Sequence, residues 1–255
     1  DYGSTWAQIT SVPSNDWISV SISATGQYQL ACMSSGSLYT SSDYGKTWTE
    51  NTSAPNNNLW LYTSMSATGQ YQLASVSNGS LYRSSDYGVT WTPYTSTPTL
   101  LSWRGSAISA TGQYQTAIRS PNGNIYTSSD YGITWTLNTS APTESWRAVS
   151  MSATGQYQTA NTRNPSGNIY TSSDYGVTWT LNTSIVATGI DWFRLAMSAT
   201  GQIQMGSSSS NSDFVYISLD YGLTWTQITT IPTSSWTDVA MSATGQYMSA
   251  VSRFG

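Results

Sequence analysis

One octapeptide does most to decide what this chain can fold into. SSDYGKTW at Ser41–Trp48 returns as SSDYGVTW at Ser84–Trp91, SSDYGITW at Ser128–Trp135, SSDYGVTW at Ser172–Trp179 and SLDYGLTW at Ser218–Trp225. The chain opens on a truncated copy, DYGSTW, at Asp1–Trp6. A second string, SATGQYQ, starts at Ser23, Ser66, Ser109 and Ser152, with close variants at Ser198 and Ser242. A tryptophan stands six residues before each: Trp17, Trp60, Trp103, Trp146, Trp192 and Trp236, spaced by 43 to 46 residues. Together these positions hold all 12 tryptophans, so every tryptophan is a repeat position and reads as framework.

Each unit reads as four short strands. WRAVSMS, from Trp146, places Val149 and Met151 on alternate positions, as a half-buried strand does. ATGQ supplies a turn with a glycine free to take positive φ. A second strand follows from Tyr157, then a connection through Asn122–Gly123 or Ser166–Gly167 in their respective units, then a third strand, IYTSS. The Asp-Tyr-Gly turn leads into the fourth, TWTLNT, and a polar link reaches the next tryptophan. Four strands in such a period match one propeller blade. The expected fold is all-β: a six-bladed β-propeller of four-stranded antiparallel blades, in a single domain spanning residues 1–255. The last copy stops at Val251–Gly255, where its third strand is due, and the chain begins with a fourth strand. Joining the ends restores the repeat except for about six residues. The N-terminal strand is therefore expected to close the ring, with Trp6 in the same blade as Met241 and no open edge.

The string Ser-x-Asp-x-Gly-x-Thr-Trp resembles the Asp-box, or BNR, motif of sialidases, sortilin-type receptors and several non-catalytic propellers. The resemblance covers the whole chain and implies a hairpin turn between the third and fourth strands of a blade. The residues read the same way: the aspartate accepts backbone N–H bonds, glycine takes the left-handed position and the hydroxyls close the loop. Asp1, Asp43, Asp86, Asp130, Asp174 and Asp220 occupy equivalent places around a ring and cannot converge on one active site, so they are expected to hold turns.

Composition narrows the function. Charged residues are 8% of the chain, against about 25% in an average soluble domain, and the net charge is -4. Lys46 and seven arginines form no basic cluster in sequence, which argues against nucleic acid. No apolar run is long enough for a membrane span. Cys32 is alone, and there is no histidine, which removes the commonest general base and metal ligand. No Walker loop, CxxC, HExxH or GxSxG is present, and no metal or cofactor is expected. Sequons at Asn51, Asn78, Asn138 and Asn182 permit glycosylation in a secreted eukaryotic chain and also arise readily in so Ser/Thr/Asn-rich a repeat.

The informative residues break the symmetry. The acids outside the boxes are Asp16, Glu50, Glu144, Asp191, Asp213 and Asp238. Arg104 and Arg147 follow a blade-opening tryptophan directly, Arg194 lies one place later, and Arg119, Arg163 and Arg253 lie at the end of second strands or just beyond. The links and the second-to-third connections share the rim opposite the Asp-boxes, where Arg104, Arg147, Arg119, Arg163, Glu144, Asp191 and Arg194 are candidate ligand contacts. The plainer reading is solvated rim charge with packed stems. Strand alternation points Arg194 away from the side used by Arg104 and Arg147. A sialidase requires three arginines on the substrate carboxylate, a Tyr/Glu nucleophile pair and an Asp acid. WFRLAM at Trp192–Met197 is only faintly similar to the FRIP-type string of those enzymes, because its proline is absent. The expected function is a non-catalytic binding or scaffold module for a glycan or another protein, extracellular or surface-exposed. The alternative is a sialidase-like glycoside hydrolase.

Overall fold

The computed structural model describes residues 5–56, 58–95, 102–163, 167–185, 190–209 and 214–253. It is a β-propeller, and among the described residues there is no helix. Blade 1 consists of strands Trp17–Ile22, Gln29–Met33, Leu38–Ser41 and Thr49–Glu50, hydrogen-bonded in that order. Blades 2 to 5 repeat this antiparallel plan, and blade 6 is a two-stranded sheet of Trp236–Met241 and Met248–Ser252. The first strands of blades 2 to 5 are Trp60–Met65, Trp103–Ile108, Trp146–Met151 and Trp192–Met197. One residue from each first strand, Val20, Thr63, Ser106, Val149, Leu195 and Asp238, lines a central cavity of about 750 Å³. The first strands therefore surround a common channel.

Hydrophobic burial lies between the blades. Trp60, Trp103, Trp146 and Trp192 are wholly buried. Trp146 packs with Ile118 and Ile125 of blade 3 and with Ala160, Tyr170 and Trp179 of blade 4. Its indole N–H donates to the Gly123 carbonyl of blade 3 at 3.1 Å. Trp48, Trp91, Trp179 and Trp225 donate to the glycine of their own turn, Trp179 to Gly176 at 3.1 Å, whereas Trp135 Nε1 is buried without a partner. Backbone bonds join the SATG turns from blade to blade: Ala24 N to Ala67 O at 2.8 Å, and on through Ala110, Ala153 and Ala199 to Ala243.

Closure by the N-terminal strand is not seen. Asp1 lies outside the described residues, while Trp6 belongs to no strand and is 91% exposed. The reason lies in the strand order. In each complete blade the fourth strand pairs only with the third, and blade 6 has no third strand among the described residues. The box strand at Trp6 thus has no ladder to join. Val20 and Ile22 of blade 1 and Val251 of blade 6 stay exposed, whereas the counterparts of Val20 and Ile22 are at least half-buried and those of Val251, such as Cys32 and Ile118, are buried.

The Asp-box turns are tightly bonded. Asp130 accepts Thr134 N at 2.8 Å, Thr134 Oγ1 at 2.6 Å and Ser128 Oγ at 2.8 Å, and Gly132 N donates to Ser128 Oγ at 3.0 Å. Sequence reasoning gave the left-handed position to glycine alone, but both Tyr131 (φ 64°) and Gly132 (φ 75°) adopt it. A tyrosine pays for that conformation, and two contacts offset the strain: Tyr131 N donates to Gln113 O at 3.1 Å, and its ring packs on Tyr71 of the preceding blade at 4.7 Å.

These bonds make the fold acid-sensitive. Hydrogen bonds from the Thr47 backbone, then from the Thr47 and Ser41 hydroxyls, bring the Asp43 carboxyl down to about 2. At Asp86, Asp130, Asp174 and Asp220 burial pushes the other way, but the hydroxyl and backbone donors outweigh it and the net shift is downward. A depressed folded value means the stabilisation is fully present above the unfolded aspartate value of about 3.9 and lost as pH falls through the folded value. We expect the melting temperature to be level from pH 8 to 5, since no histidine titrates there. It should fall steeply as pH drops from about 4 toward 2. A melt series across that range checks it, and a decline centred near pH 6 would contradict it.

Candidate binding site at the channel mouth

Each first strand carries a β-bulge at the residue after its opening tryptophan. In blade 4, Trp146 pairs with Thr162 while Ala148 pairs with Asn161, and the same slip occurs in all six blades. A bulge sets two residues against one and re-aims their side chains. The bulged residues are Ile18, Leu61, Arg104, Arg147, Phe193 and Thr237, so arginine occupies this place only in blades 3 and 4. The next position inward reads Ser19, Tyr62, Gly105, Ala148, Arg194 and Asp238, all of which line the channel.

The bulge corrects the expectation for Arg194. Alternation from the tryptophan pointed it away from Arg147, yet both guanidiniums lie over the Phe193 ring, at 4.1 Å for Arg147 and 4.9 Å for Arg194. Gly105 and Ala148 leave the channel open beside them. Through that space Arg194 reaches from blade 5 to blade 2, where its Nη1 donates to Tyr62 Oη at 2.8 Å. Its Nε is 4.0 Å from Asp238 of blade 6.

Arg147 marks the centre of a cationic cluster. Burial lowers its pKa from the ordinary arginine value; Tyr62 opposes this, and the like charges of Arg163, Arg194 and Arg104 add to it. Its Nε is buried without a hydrogen-bond partner. Arg163 comes to the same mouth because its N–H donates to Ser145 O at 2.8 Å, just before Trp146. Ser34, Ser77, Ser120 and Ser209 make the same backbone bond in other blades and Arg253 makes it in blade 6, so arginine replaces a recurrent serine in blades 4 and 6.

The remaining candidates stand apart from Arg147. Arg119 turns toward Tyr126, with Nη1 at 3.5 Å from its hydroxyl. Glu144 bridges Gly123 through its backbone, and its charge acts on Tyr170. Asp191 Oδ2 accepts Ser209 Oγ at 3.3 Å, and Asp213 lies outside the described residues. Among the described residues no group of three or more acid, histidine or cysteine side chains could hold a metal.

Sequence reasoning missed the role of three sequon asparagines. Asn138 donates through Nδ2 to Gly176 O at 2.8 Å and Val177 O at 2.9 Å, tying blade 3 to the Asp-box of blade 4. Asn51 ties blade 1 to blade 2 and Asn182 ties blade 4 to blade 5 in the same way. Only Asn78 of the four is exposed. The available signal was the fixed placement of Asn-Thr-Ser after the box tryptophan in three units.

The BNR-Asp box repeat family model matches residues 38–51 and 125–137, two of the turns described above. This chain is a β-propeller of Asp-box repeats. No curated protein sequence matched it. Among solved structures, the Asp-box propeller is similar to YCF48 bound to D1 peptide, at 17% identity and TM-score 0.71, covering 99% of this chain and 80% of that one. It is similar to the Cps50 (Swd1) β-propeller domain of Myceliophteria thermophila, at 14% identity and TM-score 0.65, covering 95% and 82% respectively. It is also similar to the GH74 xyloglucanase of Xanthomonas campestris, at 17% identity and TM-score 0.64, covering 81% of this chain and 38% of the enzyme. The propeller thus spans less than two-fifths of that enzyme. At such identities the likeness is one of fold.

Proposed function

We propose that this protein is a non-catalytic binding propeller that engages a partner protein at the channel mouth opposite the Asp-boxes. One observation carries the reading: Arg147 and Arg194 lie over the Phe193 ring beside Tyr62, with Arg104 at the equivalent bulge of the neighbouring blade and Arg163 bonded just before Trp146, all on positions where the blades differ. The copied residues are consumed by turns and inter-blade junctions. A cationic and aromatic mouth suits a polypeptide, whose side chains bring both charge and apolar surface. Similarity to a propeller bound to a peptide supports the same reading. A surface-exposed or extracellular setting belongs to the proposal, on the strength of the low charge and the Ser/Thr/Asn-rich surface.

Glycoside hydrolysis is the second reading, favoured by the GH74 likeness. Glycosidases usually place two carboxyls about 5–10 Å apart across the scissile bond. Here the nearest acids are divided among three blades, Glu144 beside Tyr170, Asp191 with Ser209 and Asp238 beside Arg194. We expect no turnover above the uncatalysed rate with a fluorogenic sialoside or xyloglucan oligosaccharides. Turnover that disappears in Glu144→Gln or Asp191→Asn, with the melt unchanged, would replace the binding reading with an enzymatic one.

A further inference from the structure

Arg104 holds in blade 3 the bulged position that Arg147 holds in blade 4, and Arg163 is backbone-bonded just before Trp146, so positive charge gathers beside Arg194 at one mouth of a protein whose net charge is -4. Arg147 and Arg194 press on one phenylalanine ring, which attracts each of them while they repel one another. The only ion pair among the described residues is Arg194 with Asp238, at 4.0 Å and with the aspartate 62% exposed. Arg104, Arg147 and Arg163 have no carboxylate partner among those residues, and Arg147 Nε is buried with no acceptor. Such a cluster is destabilising on its own and relieved by an anion, whose field the low-dielectric channel wall strengthens.

We infer that the mouth is a carboxylate site, formed by Arg104, Arg147 and Arg163 beside the Phe193 ring, for an acidic side chain or chain terminus of a peptide. This rests on the binding reading above. Planar guanidinium forks match a planar carboxylate in two parallel bonds, and the adjoining Phe193 and Tyr62 rings offer apolar contact to the residue that bears it. A nucleic-acid backbone fits poorly: of the four remaining cations, Arg119 turns toward Tyr126, and Lys46, Arg83 and Arg253 are spread one each over blades 1, 2 and 6.

Titration of the whole protein, with arginine side-chain Nε–Hε resonances as readout, tests this. The probes are acetyl-Gly-Phe-Glu-amide, its Gln counterpart, acetyl-Gly-Phe-Ala with a free terminus, inorganic phosphate and sialyllactose. The Glu peptide, the free-terminus peptide or both should shift Arg147 and Arg104 with a Kd of about 1 mM or tighter. The Gln peptide should bind at least about tenfold more weakly, and Arg104→Gln or Arg147→Gln should each weaken the acidic peptides by a similar factor. Arg83→Gln should change nothing, and thermal melts of all variants confirm folding. If neither carboxylate peptide shifts these resonances, or the Gln peptide binds as well as the Glu peptide, the inference fails. Equal binding of both that is lost in Phe193→Ala would leave the protein-binding reading standing without the carboxylate. Response to sialyllactose or phosphate with no response to peptide would overturn both in favour of a different anion.

Discussion

Replacing Trp146 by alanine should cost about 3–5 kcal/mol, the largest loss expected of any single substitution at a blade junction. The side chain is wholly buried, touches Ile118 and Ile125 on one blade and Tyr170 and Trp179 on the next, and meets the Tyr170 ring edge-on at 5.1 Å. Truncation opens a cavity in the junction and leaves the Gly123 carbonyl without its indole donor. For a chain of this size that loss lowers the melting temperature by roughly 6–20 °C. Apart from the Arg194–Tyr62 bond across the channel, the blades pack on their neighbours, so the transition should also broaden as blades 3 and 4 uncouple. Trp6→Ala is the internal contrast. That side chain is 91% exposed, and its loss should stay within about 0.5 kcal/mol. Equal effects of the two substitutions in thermal or denaturant melts would mean that the junction packing is misassigned.

Asn138→Ala should follow closely, at about 2–4 kcal/mol, because it orphans several buried groups at roughly 1–3 kcal/mol each. Besides its two donations to blade 4, Asn138 Oδ1 accepts Ser140 N at 3.0 Å, Ser140 Oγ at 2.7 Å and Ala141 N at 3.0 Å. Aspartate keeps the acceptor and loses the donor, so Asn138→Asp separates the two halves of the contribution. Asn78→Gly should be nearly silent, because Asn78 is exposed, already sits at φ 53° and, among the described residues, its side chain accepts one bond, from Ser102 Oγ at 3.1 Å. Denaturant melts of the three variants give the ranking, and an Asn138→Ala protein as stable as Asn78→Gly would refute the staple between blades.

Much of this was legible in the repeat. Strand positions, the ATGQ and Asp-Tyr-Gly turns and the framework role of the opening tryptophans all depend on interactions within one unit or with its immediate neighbour, and the period displays them directly. Other features arise where separate strands meet. The bulge after each opening tryptophan is a property of register between two strands, and neither strand announces it alone. Alternation therefore misdirected Arg194. Its contact with Tyr62 spans half the ring, between residues that no local pattern relates. The asparagine staples looked like modification sites because their acceptors are carbonyls in the following blade. The expected closing strand is not seen for a comparable reason: a fourth-strand motif is recognisable at Trp6, but pairing requires a third strand beside it, and none is present in blade 6 among the described residues.

The account divides the chain into copied residues that build the ring and divergent ones that bind. Paired measurement of melting temperature and of affinity for acetyl-Gly-Phe-Glu-amide, on Asp130→Ala and Arg147→Gln, tests that division directly. Asp130→Ala should lower the melt, because it strips the Thr134 and Ser128 donors of their acceptor at roughly 1–3 kcal/mol if they are shielded from water, while affinity measured below the transition stays unchanged. Arg147→Gln should leave the melt level or raise it, since a like charge is removed, and should weaken the peptide at least about tenfold. An Arg147→Gln protein that melts early and binds normally, or an Asp130→Ala protein that melts normally and cannot bind, would contradict it.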